Sequence, residues 1–169
     1  WAFLYPIVIL MLGWMMMWPA AQAAPPTYQS QSTNTAIAST SLQLVAPSGS
    51  VTNNLLLAVI SARSGGAVTI SSPTGCGWTQ QIQTQNSGTL AIFYKLYSSS
   101  DPSSCYLFTA NNSSQIAGAV LRYSDVDTSN PIDVSGTGTG SNSPAVAPSV
   151  TTTVADTLVI RAVGVRGSN

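Results

Sequence analysis

From residue 41 onward the chain is cut into short apolar runs by Gly, Ser, Asn and Pro, and no stretch carries a helical stripe of useful length. The runs are Ser41–Ala46, Asn54–Arg63, Ala67–Ser71, Trp78–Gln83, Thr89–Tyr97, Ser104–Ala110, Gln115–Tyr123, Ala145–Ala147 and Thr157–Arg166, rich in Val, Ile, Thr and Tyr. Many short strands at such spacing predict an all-β, antiparallel β-sandwich of jelly-roll or immunoglobulin-like type. The strongest local signal is Trp78 to Tyr97, two strand-like runs around Gln85-Asn86-Ser87-Gly88, where Asn and Gly tolerate a hairpin turn. In its second strand, Leu90, Ile92, Tyr94 and Leu96 alternate with Ala91, Phe93, Lys95 and Tyr97. The first set is expected in the core, leaving the second as an aromatic face with one positive charge. Leu55 to Ile60 and Leu158 to Val165 barely alternate, which suits strands covered on both faces or meeting another surface.

Ahead of the sandwich lie two other segments. Trp1 to Trp18 is an almost unbroken, uncharged apolar run, followed by Pro19 and by Ala21 and Ala23 at the spacing of an A-x-A cleavage site. Residues 1–23 read as a signal peptide that lacks its basic beginning; the alternative is a retained membrane helix or pilin-like stem. Residues 24–40, rich in Pro, Ser, Thr, Gln and Asn, read as a linker or loose first strand. The sandwich domain is assigned to residues 41–169, with an apolar last strand that would leave an exposed edge if the domain stopped there. It is therefore expected to continue past Asn169.

Export agrees with the cysteines. Cys76 and Cys105 are the only two in the chain, and an even pair in an oxidising compartment is usually bonded. Such a loop would add roughly 3–4 kcal/mol in the chain-entropy view; the alternative is two buried thiols. A weak repeat links Val45-Ala-Pro-Ser48 to Val146-Ala-Pro-Ser149, and Asn54–Arg63 to Thr157–Arg166. It reads either as a duplication or as two similar sandwich strands.

Composition closes off most chemistry. There is no His and no Glu, and the five basic residues are balanced by five Asp. Histidine-based triads and His-ligated metals are impossible, and two Cys cannot form a Cys₄ site or an iron–sulfur cluster. Scattered Lys95, Arg63, Arg122, Arg161 and Arg166 make no patch for nucleic acid. No enzyme and no cofactor are expected, with two reservations about Asp. Asp125, Asp127 and Asp133 lie in a D-x-D-x-S stretch that begins like a calcium loop, but Asn130, Pro131 and Gly136 occupy positions where such a loop needs other residues. The bland reading is an Asx-rich turn fixed by Asn130-Pro131. Asp125 and Asp127 are also close enough in sequence for a glycoside hydrolase pair, though nothing nearby suggests an apolar pocket.

Phe93, Tyr97, Tyr106, Phe108 and Tyr123 could stack on sugar rings if they line an exposed sheet face. They could equally fill the sandwich interior. Trp78 is expected in the core. The expected role is adhesive or structural, at the cell surface or outside the cell. The alternatives are a carbohydrate-binding module and a filament subunit that keeps the hydrophobic stem. The partner would be a polysaccharide or another surface ligand, and the only membrane contact would be an uncleaved leader.

Three landmarks carry a family resemblance: Pro73-x-Gly75-x-Gly77-Trp78-Thr79, then Phe93-Tyr94-Lys95, then Tyr123-Ser-Asp-Val-Asp-Thr-Ser-Asn-Pro-Ile-Asp133. In that order they resemble exported bacterial β-sandwich domains of surface and extracellular proteins, over roughly Ser41 to Arg166. The resemblance implies fold and location more than activity. The chain departs from the pattern at Cys76, an insertion that favours the disulfide, and at Asp125, which stands where the pattern has Gly.

Overall fold

The computed structural model describes residues 24–64, 66–85, 88–140 and 146–164. The leader at 1–23, the turn residues Asn86 and Ser87, and Arg166 lie outside them. The described chain is all-β and antiparallel, consistent with a β-sandwich. Its strands are β1 (Thr27–Gln43), β2 (Leu55–Arg63), β3 (Ile70–Ser71), β4 (Thr79–Gln85), β5 (Thr89–Leu96) and β6 (Leu107–Ser124), with a 3₁₀ turn at Ser103–Tyr106. They run in the order β1-β6-β2-β5-β4, and β3 also pairs with β6.

Two long strands, β1 and β6, shape the sheet. β6 pairs with β2 through Gln115–Tyr123 and with β3 through Thr109 and Ala110, while β1 follows it along both halves. The β1 register shifts at Tyr28/Ser30, Ala36/Ser39 and Ser39/Ser41, and Ala38 takes a positive φ of 50°. Bulges bend a strand and raise its twist. The bend brings Leu42 and Leu44, beyond it, over Gly118 on the other half of β6. There a Cβ on Gly118 would lie 2.8 Å from Leu42 Cδ2 and 3.2 Å from Ile60 Cγ1, so the glycine is required by close approach.

The space enclosed is the main core: Leu42, Leu44, Leu56, Ala58, Ile60, Val68, Ile70, Phe93, Phe108, Ile116 and Val120 are all buried. At its open side, Ser30, Ser32 and Asn34 of β1 donate side-chain hydrogen bonds to the carbonyls of Ser48, Val45 and Gln43. Arg122 ties the same margin, donating to Ser30 Oγ, Gly49 O and Asn54 Oδ1. The outer face of β2, β5 and β6 is apolar as well. Leu55, Leu57 and Tyr123 are buried there, with Val59, Ile92, Tyr94, Leu96, Leu121, Val126 and Ile132 packed around them. Every residue of β2 is thus buried or half-buried, as its unbroken apolar run implied.

Of the two readings of residues 24–40 the strand holds, since Thr27 to Thr40 belong to β1. Three expectations are corrected. Ser104–Ala110 and Gln115–Tyr123 are not separate strands, because β6 runs through Asn111–Ser114. The faces of β5 are reversed. Ala91, Phe93 and Lys95 point into the main core, and Ile92, Tyr94 and Leu96 into the outer cluster. Finally, residues 146–147 and 157–164 form no strand, and Leu158, Val159, Ile160 and Val163 are exposed.

Candidate functional site

Chemistry-bearing side chains converge at the end of β5, where the segment before β4 meets the 3₁₀ turn. Cys76 and Cys105 are joined in a disulfide with their Cα atoms 5.3 Å apart. Trp78 caps the link, its indole N–H donating to the Cys105 carbonyl at 2.7 Å. Its ring meets Tyr106 and Phe108 edge-on at centroid distances of 6.0 and 5.3 Å, and Phe108 lies 5.4 Å from Phe93.

Into this aromatic wall β5 sends the chain's only lysine. Lys95 is 4 % exposed, too little for a cation unless it is paired. Its Nζ lies 2.7 Å from Asp101 Oδ2, donates to the Cys76 carbonyl at 2.6 Å and stands 5.7 Å from the Trp78 ring centroid. Asp101 Oδ2 also accepts from the Tyr106 hydroxyl at 3.2 Å and the Ser98 N–H at 3.4 Å. Burial, reinforced by the Asp101 charge, pushes the Tyr106 hydroxyl far above its ordinary value, so it remains a donor throughout the physiological range. Lys95, expected on an aromatic face with one positive charge, is a core residue, and Asp101 is a partner that strand alternation does not point to. The available signal was one lysine among alternating core aromatics.

The candidate stacking residues divide differently from a binding platform. Phe93, Tyr106 and Phe108 are 1 %, 3 % and 1 % exposed, so a sugar ring cannot lie on them; Tyr97 is half-buried against the main core. Tyr123 is buried on the other side of the sheet, edge-on to Tyr28 at 5.9 Å.

The candidate calcium residues are occupied separately. Asp125 takes a positive φ of 59° and accepts from Ser124 Oγ at 2.7 Å. Asp127 accepts the Ser129 N–H at 2.8 Å, an Asx turn. Asp133 accepts from the Thr153 hydroxyl and from its N–H at 2.7 Å. These bonds, the hydroxyl first, hold its carboxyl below the usual range. Among the described residues no three acidic or thiol groups come together as a metal would need. In this arrangement each carboxylate closes its own local turn or clasp.

The C-terminal stretch passes over the outer sheet face, where Gln81 donates to Ser135 Oγ at 2.8 Å and the Asp133–Thr153 clasp fastens it to itself. Between this stretch and the face lies an open cavity of about 670 Å³, walled by Leu55, Leu57, Ile92, Tyr123, Val150 and Leu158 among others. No family model, curated protein or solved structure matches the chain.

Proposed function

We propose that this is a secreted or cell-surface β-sandwich domain, of the jelly-roll or immunoglobulin-like kind, with an adhesive or structural rather than catalytic role. The observation that carries the reading is the margin formed by β1. It is the terminal strand of the sheet, 17 residues long, largely exposed and without a charged residue. A long uncharged edge invites pairing with another extended chain, the commonest way for a sheet to make an intermolecular contact through its backbone. Its Ser, Thr, Gln and Asn side chains suit a wetted surface exposed to the medium. A disulfide fits an oxidising compartment. The burial of Phe93, Tyr106 and Phe108 favours this reading over a carbohydrate-binding one.

The test is fractionation of the source cells with an antibody to the chain, combined with retention assays on insoluble polysaccharides. The expected result is protein in the surface or medium fraction and no saturable retention on any polysaccharide. Protein confined to the cytoplasm would overturn the reading. Saturable retention lost in Tyr97→Ala would replace it with the carbohydrate-binding one.

A further inference from the structure

We propose that Lys95 and Asp101 form an intramolecular isopeptide bond, made by the folded chain without any other reactant. The two side chains are 3 % and 11 % exposed and in contact at 2.7 Å. Removing a cation and an anion from water is expensive, and their attraction repays it only in part. Joining them as an amide abolishes both charges while keeping every neighbour in place. A held pair also reacts as though at very high concentration, since no translational freedom remains to be lost.

The balance closes within the pair. One ammonium proton first passes to the Asp101 oxygen that departs, leaving a neutral amine against a carboxylic acid. The Lys95 nitrogen then attacks Asp101 Cγ, the Nζ–Cγ bond forms, the Cγ–O bond to that oxygen breaks, and a second proton from the nitrogen leaves with it as one water. Nothing is oxidised or reduced.

The surroundings supply positioning and charge stabilisation. The Cys76 carbonyl, 2.6 Å from Nζ, fixes the amine and draws one of its hydrogens away from the line of attack. The Tyr106 hydroxyl and the Ser98 N–H both point at Oδ2, the oxygen retained as the amide carbonyl. Donors aimed at an oxygen that gains negative charge lower the barrier to its tetrahedral intermediate. The disulfide assembles the site, because Cys76 brings the carbonyl and Cys105 precedes Tyr106. Trp78 flanks it, 5.7 Å from Nζ and edge-on to Tyr106.

Lys95 is the only lysine among these 169 residues, so cleavage after it reads the state of this side chain. The whole exported chain is denatured and reduced, its N-terminus is sequenced, its mass is measured, and it is digested with a lysine-specific protease. The expected polypeptide is lighter than its sequence by one water and is not cut after Lys95. Lys95→Arg, which keeps the charge but offers no nucleophilic amine, has its full sequence mass. Tyr106→Phe, which keeps the ring and removes the donor, accumulates the bond more slowly after refolding. A wild-type chain of full mass that is cut after Lys95 overturns the proposal. So does a missing water that persists in Lys95→Arg.

Discussion

Replacing Gly118 with alanine tests whether the sheet folds back on itself as described. The added Cβ would lie 2.8 Å from Leu42 Cδ2, 3.2 Å from Ile60 Cγ1 and 3.4 Å from Leu44 Cδ1. Carbon atoms rest at about 3.5–4.0 Å, so Leu42 must yield by about 1 Å. It has little room, since Leu42 and Leu44 are 1 % and Ile60 0 % exposed. Overpacking of this size costs about 1–3 kcal/mol. Alanine also narrows the unfolded ensemble, which offsets about 0.4–1 kcal/mol. The expected net loss is about 1–2 kcal/mol, or a fall of about 0.5–1 M in the urea midpoint for a domain of this size. Equilibrium urea unfolding followed by near-ultraviolet circular dichroism reads it directly. The diagnostic partner is Leu42→Ala, which alone should cost about 2–5 kcal/mol through the cavity it leaves. In the double variant the new methyl enters that cavity, so the total should fall short of the sum by about 1–2 kcal/mol. A Gly118→Ala protein as stable as the parent, with additive behaviour in the double variant, would refute the contact between the two halves of the sheet.

Two further outcomes follow from the same region. Replacing Cys76 and Cys105 together with alanine should lower stability by about 3–4 kcal/mol, since the bond closes a loop of 29 positions; a loss below about 1 kcal/mol in thermal or urea unfolding would contradict it. Tyr106, with its hydroxyl raised above the ordinary value of 10.0, gives the protein an alkaline limit. Below about pH 10 both states keep this proton and stability is indifferent to it; above, the unfolded chain ionises first and stability falls by up to about 1.4 kcal/mol per pH unit. Urea midpoints measured from pH 8 to 11 should show that decline, and Tyr106→Phe should lessen it, leaving the share of Tyr123, whose hydroxyl burial also raises.

What the sequence made legible was whatever two neighbouring runs could settle between themselves. The β4–β5 hairpin and β2 stand close to where alternation, apolar runs and turn residues put them. β1 is only half legible, as a loose first strand or a linker, because Ser, Thr, Gln and Asn dominate Thr27–Gln43 and give little apolar alternation; pairing along β6 makes the whole segment one strand. Asn111-Asn112 lies in the gap between the runs Ser104–Ala110 and Gln115–Tyr123. In the fold, Asn111 Oδ1 accepts the Thr69 N–H and Asn112 donates to the Ala67 carbonyl, so these side chains serve the strand's neighbour without interrupting it. The reversed face of β5 has a physical origin: both faces are apolar, and the one that looked wet carried a lysine whose countercharge lies six positions downstream in Asp101. Segment 157–164 has the composition of a strand, yet β-propensity expresses itself only against a paired neighbour, and no described strand pairs with it.

A sheet apolar on both faces raises a problem of uniqueness. Where one face is wet, a one-residue slip throws the core set into solvent, and the pattern itself fixes register. In β2 a slip would exchange Leu55 and Leu57 for Leu56 and Ala58, apolar for apolar, at small hydrophobic cost. Register must then come from positions that accept a single neighbour. Gly118 is one, since only a position without a side chain fits beneath Leu42. Lys95 is another. Displaced by one residue it would point toward the outer cluster, away from Asp101 and the Cys76 carbonyl, as an unpaired charge in an apolar setting. The disulfide fixes the start of β4 against the approach to β6, and Arg122 fixes β6 against β1 and the Gly49–Asn54 turn. In a chain with so few charges, the ionic and covalent contacts among the described residues are few and placed where hydrophobic patterning is silent, so their main contribution is to select one register among several that bury similar apolar area.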